Sequence, residues 1–428
     1  MTSRQLSYSR GWSHMVDAGV LGAGLVLAGG GVLQSQAVRD SAGVQIVTST
    51  RPLLPEARAW RVDERPLVRI GGSRDAPDDT LYEFLRVMGV SRLSDGRIAV
   101  GVQGSHSIRF FDAAGRFVAS AGRSGQGPGE FRQILGMAAT RGDTLAVTDL
   151  GEVEFYDGTG KFIRQGASRR SMGDFGFVYP QGFLGDGSYP GMKSNERTIP
   201  PSGLRTTRSP LVRVHEDGAR VDTIDIVPYS IEEFDGRQTW GTHVVFSPWA
   251  SVAAGRGRIY YGFAERYEVR EYAESGGLIR LIRRERQSRP VGRAEKRVYI
   301  EHTRTARAND PMHPMSPQMK ERFEQSLAET RFADRFPEFR TLLPDRSGNL
   351  WVERYDWRVE LIEPGLASVR TLSAPGVWDV FDPVGRWLCT VSLPARFTPL
   401  EVGADYVAGL ARAEDDVEEV RLYRLRKP

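Results

Sequence analysis

Apolar and polar positions along this chain fall into short runs broken by Gly, Asp, Asn and Pro, a pattern that predicts strands rather than helices over most of its length. The runs also repeat. Tyr82-Glu83-Phe84-Leu85-Arg86-Val87-Met88-Gly89 and Gly129-Glu130-Phe131-Arg132-Gln133-Ile134-Leu135-Gly136 share Glu, Phe and Gly at an offset of 47 residues. The same offset carries Ile98-Ala99-Val100 onto Leu145-Ala146-Val147. At an offset of 45, Phe111-Asp112-Ala113-Ala114-Gly115-Arg116-Phe117 falls on Tyr156-Asp157-Gly158-Thr159-Gly160-Lys161-Phe162, and a third copy stands at Phe381-Asp382-Pro383-Val384-Gly385-Arg386-Trp387.

The aromatic-Asp-x-x-Gly-basic-aromatic string has a mechanical reason. Asp opens a turn by bonding the backbone amides ahead of it, and Gly takes the positive φ that closes a tight hairpin loop. Each unit then reads as four strands, in the first unit about Val87–Ser94, Arg97–Gln103, Ser107–Ala113 and Arg116–Gly122. Four strands at this period mark a propeller blade. Degenerate hairpins at Val214–Gly218 and Tyr272–Gly276 bring the number of blades with such a hairpin to five. The chain ends supply a sixth: Thr398–Asp405, Tyr406–Arg412 and Val417–Leu425 lack a fourth strand, and Leu67–Gly72 provides it from the N-terminal side. The expected fold is therefore an all-β six-bladed β-propeller over 67–425, closed by strands from both ends of the chain. A helical insertion at about 286–337 is expected between blades 4 and 5.

These residues resemble the bacterial six-bladed β-propellers related to NHL repeats. The resemblance is carried by Gly122-Arg123-Ser124-Gly125-Gln126-Gly127-Pro128-Gly129-Glu130-Phe131, by the Phe-Asp-x-x-Gly-Arg hairpins, and by Leu350-Trp351-Val352 after Asp345-Arg346-Ser347-Gly348-Asn349. It covers about Leu67 to Leu425. That superfamily includes lactonases, lyases, receptor sensor domains and RNA-binding modules, so the resemblance implies a fold and leaves the activity open.

Composition adds compartment and charge. Charged residues are 26% and hydrophobic residues 40%, as in globular proteins. The net charge of +4 balances 58 basic against 54 acidic residues spread along the chain, so no nucleic-acid partner is expected. At the N-terminus, Arg4 and Arg10 precede an uncharged run from Ala18 to Val38, with its apolar part at Val20–Ala28 and Val32-Leu33, and then Ser35-Gln36-Ala37. That order predicts a secretory signal peptide over 1–37, a mature chain starting at Val38, an extension over 38–66, and an exported protein, periplasmic or secreted. A membrane association is expected only where the segment stays as an anchor. Cys389 is the sole cysteine, so no internal disulfide forms and the fold must be held by its core. A monomer is expected.

Functional residues should be peculiar to one blade and sit on loops at the channel mouth. Glu83 and Glu130 recur between blades and read as structural; Asp112, Asp157 and Asp382 read as turn residues. The loops between second and third strands give His106, Asp149, Glu265-Arg266 and Glu353-Arg354-Tyr355-Asp356, and a connection between blades adds His243. The candidate ligand-binding set is thus His106, Asp149, His243, Glu265, Arg266, Glu353, Arg354 and Asp356. Any set of exposed loops would also look polar in this way. No motif selects a metal site: the six His are scattered and no His-x-x-x-His or Gly-x-Ser-x-Gly occurs. The cofactor stays unassigned.

In the insertion, Ser316-Pro317 starts a helix whose Met319, Phe323 and Leu327 share one face, with Phe332 and Phe336 beyond it, and Val291–Ala308 gives a partner helix. Arg280 to Arg297 holds eight basic and two acidic residues. The insertion reads as a lid, as a docking surface for an anionic partner, or as a solvated helix pair. Two functions follow: a binding or scaffold propeller of the cell envelope with an unidentified small-molecule or protein ligand, or a metal-dependent lactonase-type hydrolase with its site in the channel.

Overall fold

The structure is a computed structural model that describes residues 35–72, 79–149, 152–166, 180–192, 199–217, 220–308, 314–361, 374–413 and 417–428. Residues 1–34 of the signal peptide expected over 1–37 lie outside the described residues.

The chain begins with β1 (Gln36–Ser41), β2 (Val44–Ser49) and β3 (Arg61–Ile70). A first sheet follows in simple meander order, β4 (Val87–Arg92), β5 (Ile98–Val102), β6 (Ser107–Phe111) and β7 (Phe117–Ala121), then a second, β8 (Ile134–Ala139), β9 (Leu145–Asp149), β10 (Glu152–Tyr156) and β11 (Phe162–Gln165). The third holds β12 (Tyr189–Met192), β13 (Gly203–Val214), β14 (Val221–Phe234) and β15 (Thr242–His243). The fourth is β16 (Ala250–Gly255), β17 (Arg258–Phe263), β18 (Glu268–Ala273) and β19 (Leu278–Arg284), widened by β2 and β1 on the β19 edge. After α1 (Arg293–Ala308) and α2 (Pro317–Ala328) come the fifth sheet, β20 (Phe339–Pro344), β21 (Leu350–Arg354), β22 (Val377–Phe381) and β23 (Trp387–Ser392), and the strands β24 (Phe397–Val402), β25 (Tyr406–Arg412) and β26 (Glu418–Arg426), which form the sixth sheet with β3.

The hairpins behave as their residues dictate. Asp112 Oδ1 accepts the amides of Ala114 and Arg116 while Gly115 sits at φ 85°, and Asp157 and Asp382 do the same for their own loops. The third sheet also has four strands, but they are placed differently from those of the others. The Leu184–Ser188 hairpin entering β12 makes the same backbone bond as the Leu93–Arg97 hairpin that joins β4 to β5. β12 therefore holds a second-strand position, with the Gln181 amide ahead of that hairpin donating to the Pro190 carbonyl on it, and residues 167–179 lie outside the described residues. β13 and β14 are longer than other strands and project past β12 as an arm, on which β15 pairs with Glu232 and Glu233.

Six hydrophobic clusters hold the sheets together, and each lies between two of them. Phe111 and Val100 pack on Val420 and Leu422, joining the first sheet to the sixth. Phe110 and Ile108 meet Met137 and Tyr156 between first and second. Phe155 meets Tyr189 and Val212, Leu211 and Val227 meet Tyr261 and Tyr272, Val269 and Ile282 meet Phe381 and Trp387, and Trp351 and Cys389 meet Val407 and Tyr423. Every sheet thus packs on two others. The first strands approach most closely: a Cβ on Gly89 of β4 would lie 2.4 Å from the carbonyl oxygen of Met137 on β8, so only glycine fits.

The strand expected at Leu67–Gly72 is the end of β3, which pairs antiparallel with β26 from Ile70–Val420 to Arg61–Arg426. The segment 38–66, the expected N-terminal extension, lies along three of the sheets. β2 runs parallel to β19, Leu53 and Leu54 donate their amides to Trp387 and Leu388 carbonyls on β23, and β3 follows on β26. The physical reason is that each contact satisfies an open strand edge. Gln36, two residues before the expected start of the mature chain, is buried, with its amide donating to the Trp387 carbonyl and its oxygen accepting from Ser49 Oγ.

Candidate functional site

A cavity of about 500 Å³ opens where three parts of the chain meet: β20, β24, and the His243–Trp249 segment that leads from the third sheet to the fourth. Tyr355, Val359 and Glu360, after β21, close one side. Both first strands carry a register irregularity here, between Phe339 and Leu342 on β20 and between Pro399 and Glu401 on β24. Such bulges re-aim side chains, and they put Arg340, Thr341 and Leu400 among the lining residues. β4 and β8 have irregularities at corresponding places, so the device belongs to the repeat and only its side chains are individual.

Several of the cavity's polar groups bond one another. Arg340 Nε and Nη2 donate to the two carboxylate oxygens of Glu353, each at 2.8 Å. The Tyr355 hydroxyl, pushed above its ordinary range by burial, donates to Glu360 at 3.1 Å. The Trp249 indole N–H donates to His243 Nε2 at 2.9 Å, with the two rings 4.5 Å apart. An indole nitrogen can only donate, so Nε2 of His243 is the unprotonated nitrogen of that ring.

A second cleft of about 410 Å³ shares Tyr355 with the first and is lined by Arg286, Glu353, Arg354, Asp356 and Arg358. Arg354 there grips Asp379, a fully buried carboxylate that also accepts from Arg284, Tyr267 and Thr390. Arg284 lies over the Trp387 ring at 3.8 Å. This is a buried network that ties the fourth sheet to the fifth.

The insertion packs on this same region. Phe246, fully buried and at φ 62°, touches Tyr299 of α1, Phe332 and Phe336 beyond α2, and Trp357. Phe336 also meets Tyr355, so the cavity wall and the insertion share an aromatic cluster. Val245 exchanges backbone bonds with Arg331 and Ala333, and Arg331 pairs with Glu233 on the β14 arm. Five of the eight basic residues in the run from Arg280 to Arg297 are ion-paired: Arg280, Arg283, Arg284, Arg286 and Arg289 with Glu271, Glu268, Asp379, Glu338 and Glu295.

The expected site residues separate into groups. His243 lines the first cavity, and Glu353, Arg354 and Asp356 line the second cleft. Glu353 is 5% exposed and committed to Arg340, and Arg354 to Asp379, so neither is the exposed loop charge expected from its position. Asp149 is buried and accepts the amides of Arg132 and Gln133, which makes it an anchor for the loop that leads into β8. His106 is half-buried at φ 50° with Nδ1 3.1 Å from the Phe131 carbonyl. Glu265 and Arg266 are exposed. His106, Asp149, Glu265 and Arg266 line neither cavity. The sequence reading missed Ser247, Trp249, Arg340 and Thr341, which lie on a connection and a first strand and not on the loops it searched. Among the described residues no group of three or more His, Cys, Asp or Glu comes together as a metal site.

No known family model matches the chain, and no curated protein sequence matches it. Solved structures do. A member of the DUF4221 family from Bacteroides vulgatus aligns with a TM-score of 0.52 at 10% identity, over 87% of this chain and 99% of that one. A gluconolactonase from Xanthomonas campestris aligns with a TM-score of 0.40 at 13% identity, over 87% and 99%. Regucalcin from Agrobacterium tumefaciens, a calcium-binding protein, aligns with a TM-score of 0.38 at 10% identity, over 86% and 96%. At such identities the likeness is one of fold. The chain is a mostly-β protein with a propeller-type fold.

Proposed function

We propose that this is an exported, monomeric six-bladed propeller of the NHL-related kind, and that it acts as a binding module whose ligand sits in the cavity between β20, β24 and the His243–Trp249 segment. The carrying observation is the cavity itself: its volume lies in the range of small-molecule sites, its wall is largely aromatic and aliphatic, and a few polar groups converge on it. The six sheets, each packed on two others, support the blade count, and the pairing of β3 with β26 supports closure by both ends of the chain. Export rests on the N-terminal pattern of charge, apolar run and small residues. No helix among the described residues is long and apolar enough to cross a membrane. No nucleic-acid partner is part of the proposal.

The test is a thermal-shift screen of small soluble metabolites against the wild type and Thr341→Trp, which fills the cavity from a half-buried position. Compounds that raise the midpoint of the wild type and leave the variant unmoved support the reading. Compounds that shift both equally, or a complete lack of hits for the wild type, overturn it.

A further inference from the structure

The second cleft gathers more guanidinium charge than its carboxylates match. Its wall holds Arg286, Arg354 and Arg358 together with Glu353 and Asp356. Each of the two acids is taken by one arginine: Glu353 by Arg340 through two hydrogen bonds, and Asp356 by Arg358 through both carboxylate oxygens. Arg354 has no such match. It bonds Asp379 through Nε and Nη2, but Arg284 holds the same carboxylate. The Arg286 side chain makes no hydrogen bond among the described residues and only approaches Glu338, at 3.4 Å. With the pairs set against each other, the two guanidiniums on Asp379 leave one positive charge over. The crowding is felt at Arg284. Burial lowers its pKa, Asp379 and Tyr267 work against that, and the charges of Arg354 and Arg286 lower it further.

Exposure shows where the surplus can be met. Asp379 is fully buried, whereas the side chains of Arg354 and Arg286 are 29% and 36% exposed. A group entering the cleft therefore meets these two guanidiniums and not Asp379. A cation would add to the surplus and find both acids of the wall already held by arginine. A neutral ligand would take guanidinium charge out of water with nothing in return. An oxyanion balances the charge and brings two acceptor oxygens with the geometry a guanidinium fork matches. Trp357, Pro375 and Val377 make the rest of the wall largely apolar, so the anion that fits carries an apolar body.

We infer that the second cleft is a binding site of its own, for a small organic monocarboxylate whose oxyanion is received by Arg286 and Arg354 and whose apolar body lies against Trp357, Pro375 and Val377. The site is distinct from the cavity of the proposed function, with which it shares Tyr355, and does not depend on that reading.

The experiment reads the fluorine relaxation of para-fluorobenzoate in the presence of the full chain, beside para-fluorobenzamide, para-fluorobenzylamine and para-fluorophenyl phosphate. The benzoate is expected to bind, more weakly as salt rises, and the amide and the amine are not. Arg286→Gln should weaken the benzoate about tenfold or more, the loss expected for hydrogen bonds to a charged group, with Arg286→Lys between that and the wild type. Arg283→Gln, which unpairs Glu268 outside the cleft, should change nothing in binding. Val377→Trp, which fills the cleft from its apolar side, should abolish binding, and it carries the test if Arg286→Gln, by leaving Glu338 buried without its arginine, fails to fold. No binding of the benzoate, equal binding of the amide, or binding of the phosphate alone overturns the inference. Binding that ignores both Arg286→Gln and Val377→Trp overturns it too; if Thr341→Trp then removes that binding, the ligand sits in the other cavity and the reading of that site stands.

Discussion

Arg340 on β20 and Glu353 on β21 face each other through two parallel hydrogen bonds of 2.8 Å, at the point where the cavity and the second cleft meet. Glu353 is 5% exposed. A buried carboxylate that loses its guanidinium, or the reverse, leaves an uncompensated charge, and the cost exceeds what the pair contributed.

Glu353→Ala is therefore expected to lower stability by about 3 kcal/mol, read as a shift in denaturant midpoint. The double variant Arg340→Met/Glu353→Leu should recover most of that loss, since neither charge remains. A single variant as stable as the wild type would mean that Glu353 reaches water.

This pair also shows what the sequence could and could not convey. The Asp-x-x-Gly hairpins are legible because their geometry is local: Asp112 and Gly115 act within one loop. The pairing of β3 with β26 was legible because the sixth repeat is short of one strand. Glu353 was read as a free loop charge because its partner lies across a bulge on a neighbouring strand, and bulges leave no mark in residue periodicity. Asp149 has the same history, with its amide partners at Arg132 and Gln133 on another loop. Ser247 and Trp249 were missed because their roles depend on a connection folding back over two first strands.

Glu154 offers a pH test. It is fully buried on β10, and burial raises its carboxyl to about 7, with Asp149 and Glu152 adding to the rise and the Tyr156 hydroxyl, 2.8 Å away, working against it. The folded state thus keeps its proton where the unfolded chain, near 4.5, has lost it. Stability from this residue is complete below 4.5, falls as pH rises toward 7, and stays reduced above, by up to about 3 kcal/mol. Glu154→Gln should match the wild type at pH 4.5 and exceed it at pH 8. Equal pH slopes for the two proteins would contradict the shift.

Phe246 pins the insertion. Phe246→Ala removes a ring with four aromatic neighbours, a change that costs about 3 kcal/mol or more in packed cores. Because the loss falls on the α1–α2 anchorage, the expected sign is faster tryptic cleavage within 286–337, with the far-ultraviolet strand signal kept. Cleavage at the wild-type rate would show that the helices are held elsewhere.

Removing residues 35–72 would strip β1, β2 and β3 and leave β19 and β26 as open edges. Open edges template association, so the truncated chain should elute as oligomers and melt earlier. A monomer with an unchanged melting temperature would contradict the role given to this segment.

The central claim is that the ligand sits in the cavity beside Trp249. With the eight tryptophans replaced by 5-fluorotryptophan and the Trp249 signal assigned by Trp249→Phe, a fluorine spectrum reports each indole separately. Titration with the ligand found in the screen is predicted to move the Trp249 resonance and leave those of Trp351 and Trp378, buried between sheets, in place. A saturating ligand that leaves Trp249 unmoved would contradict the account.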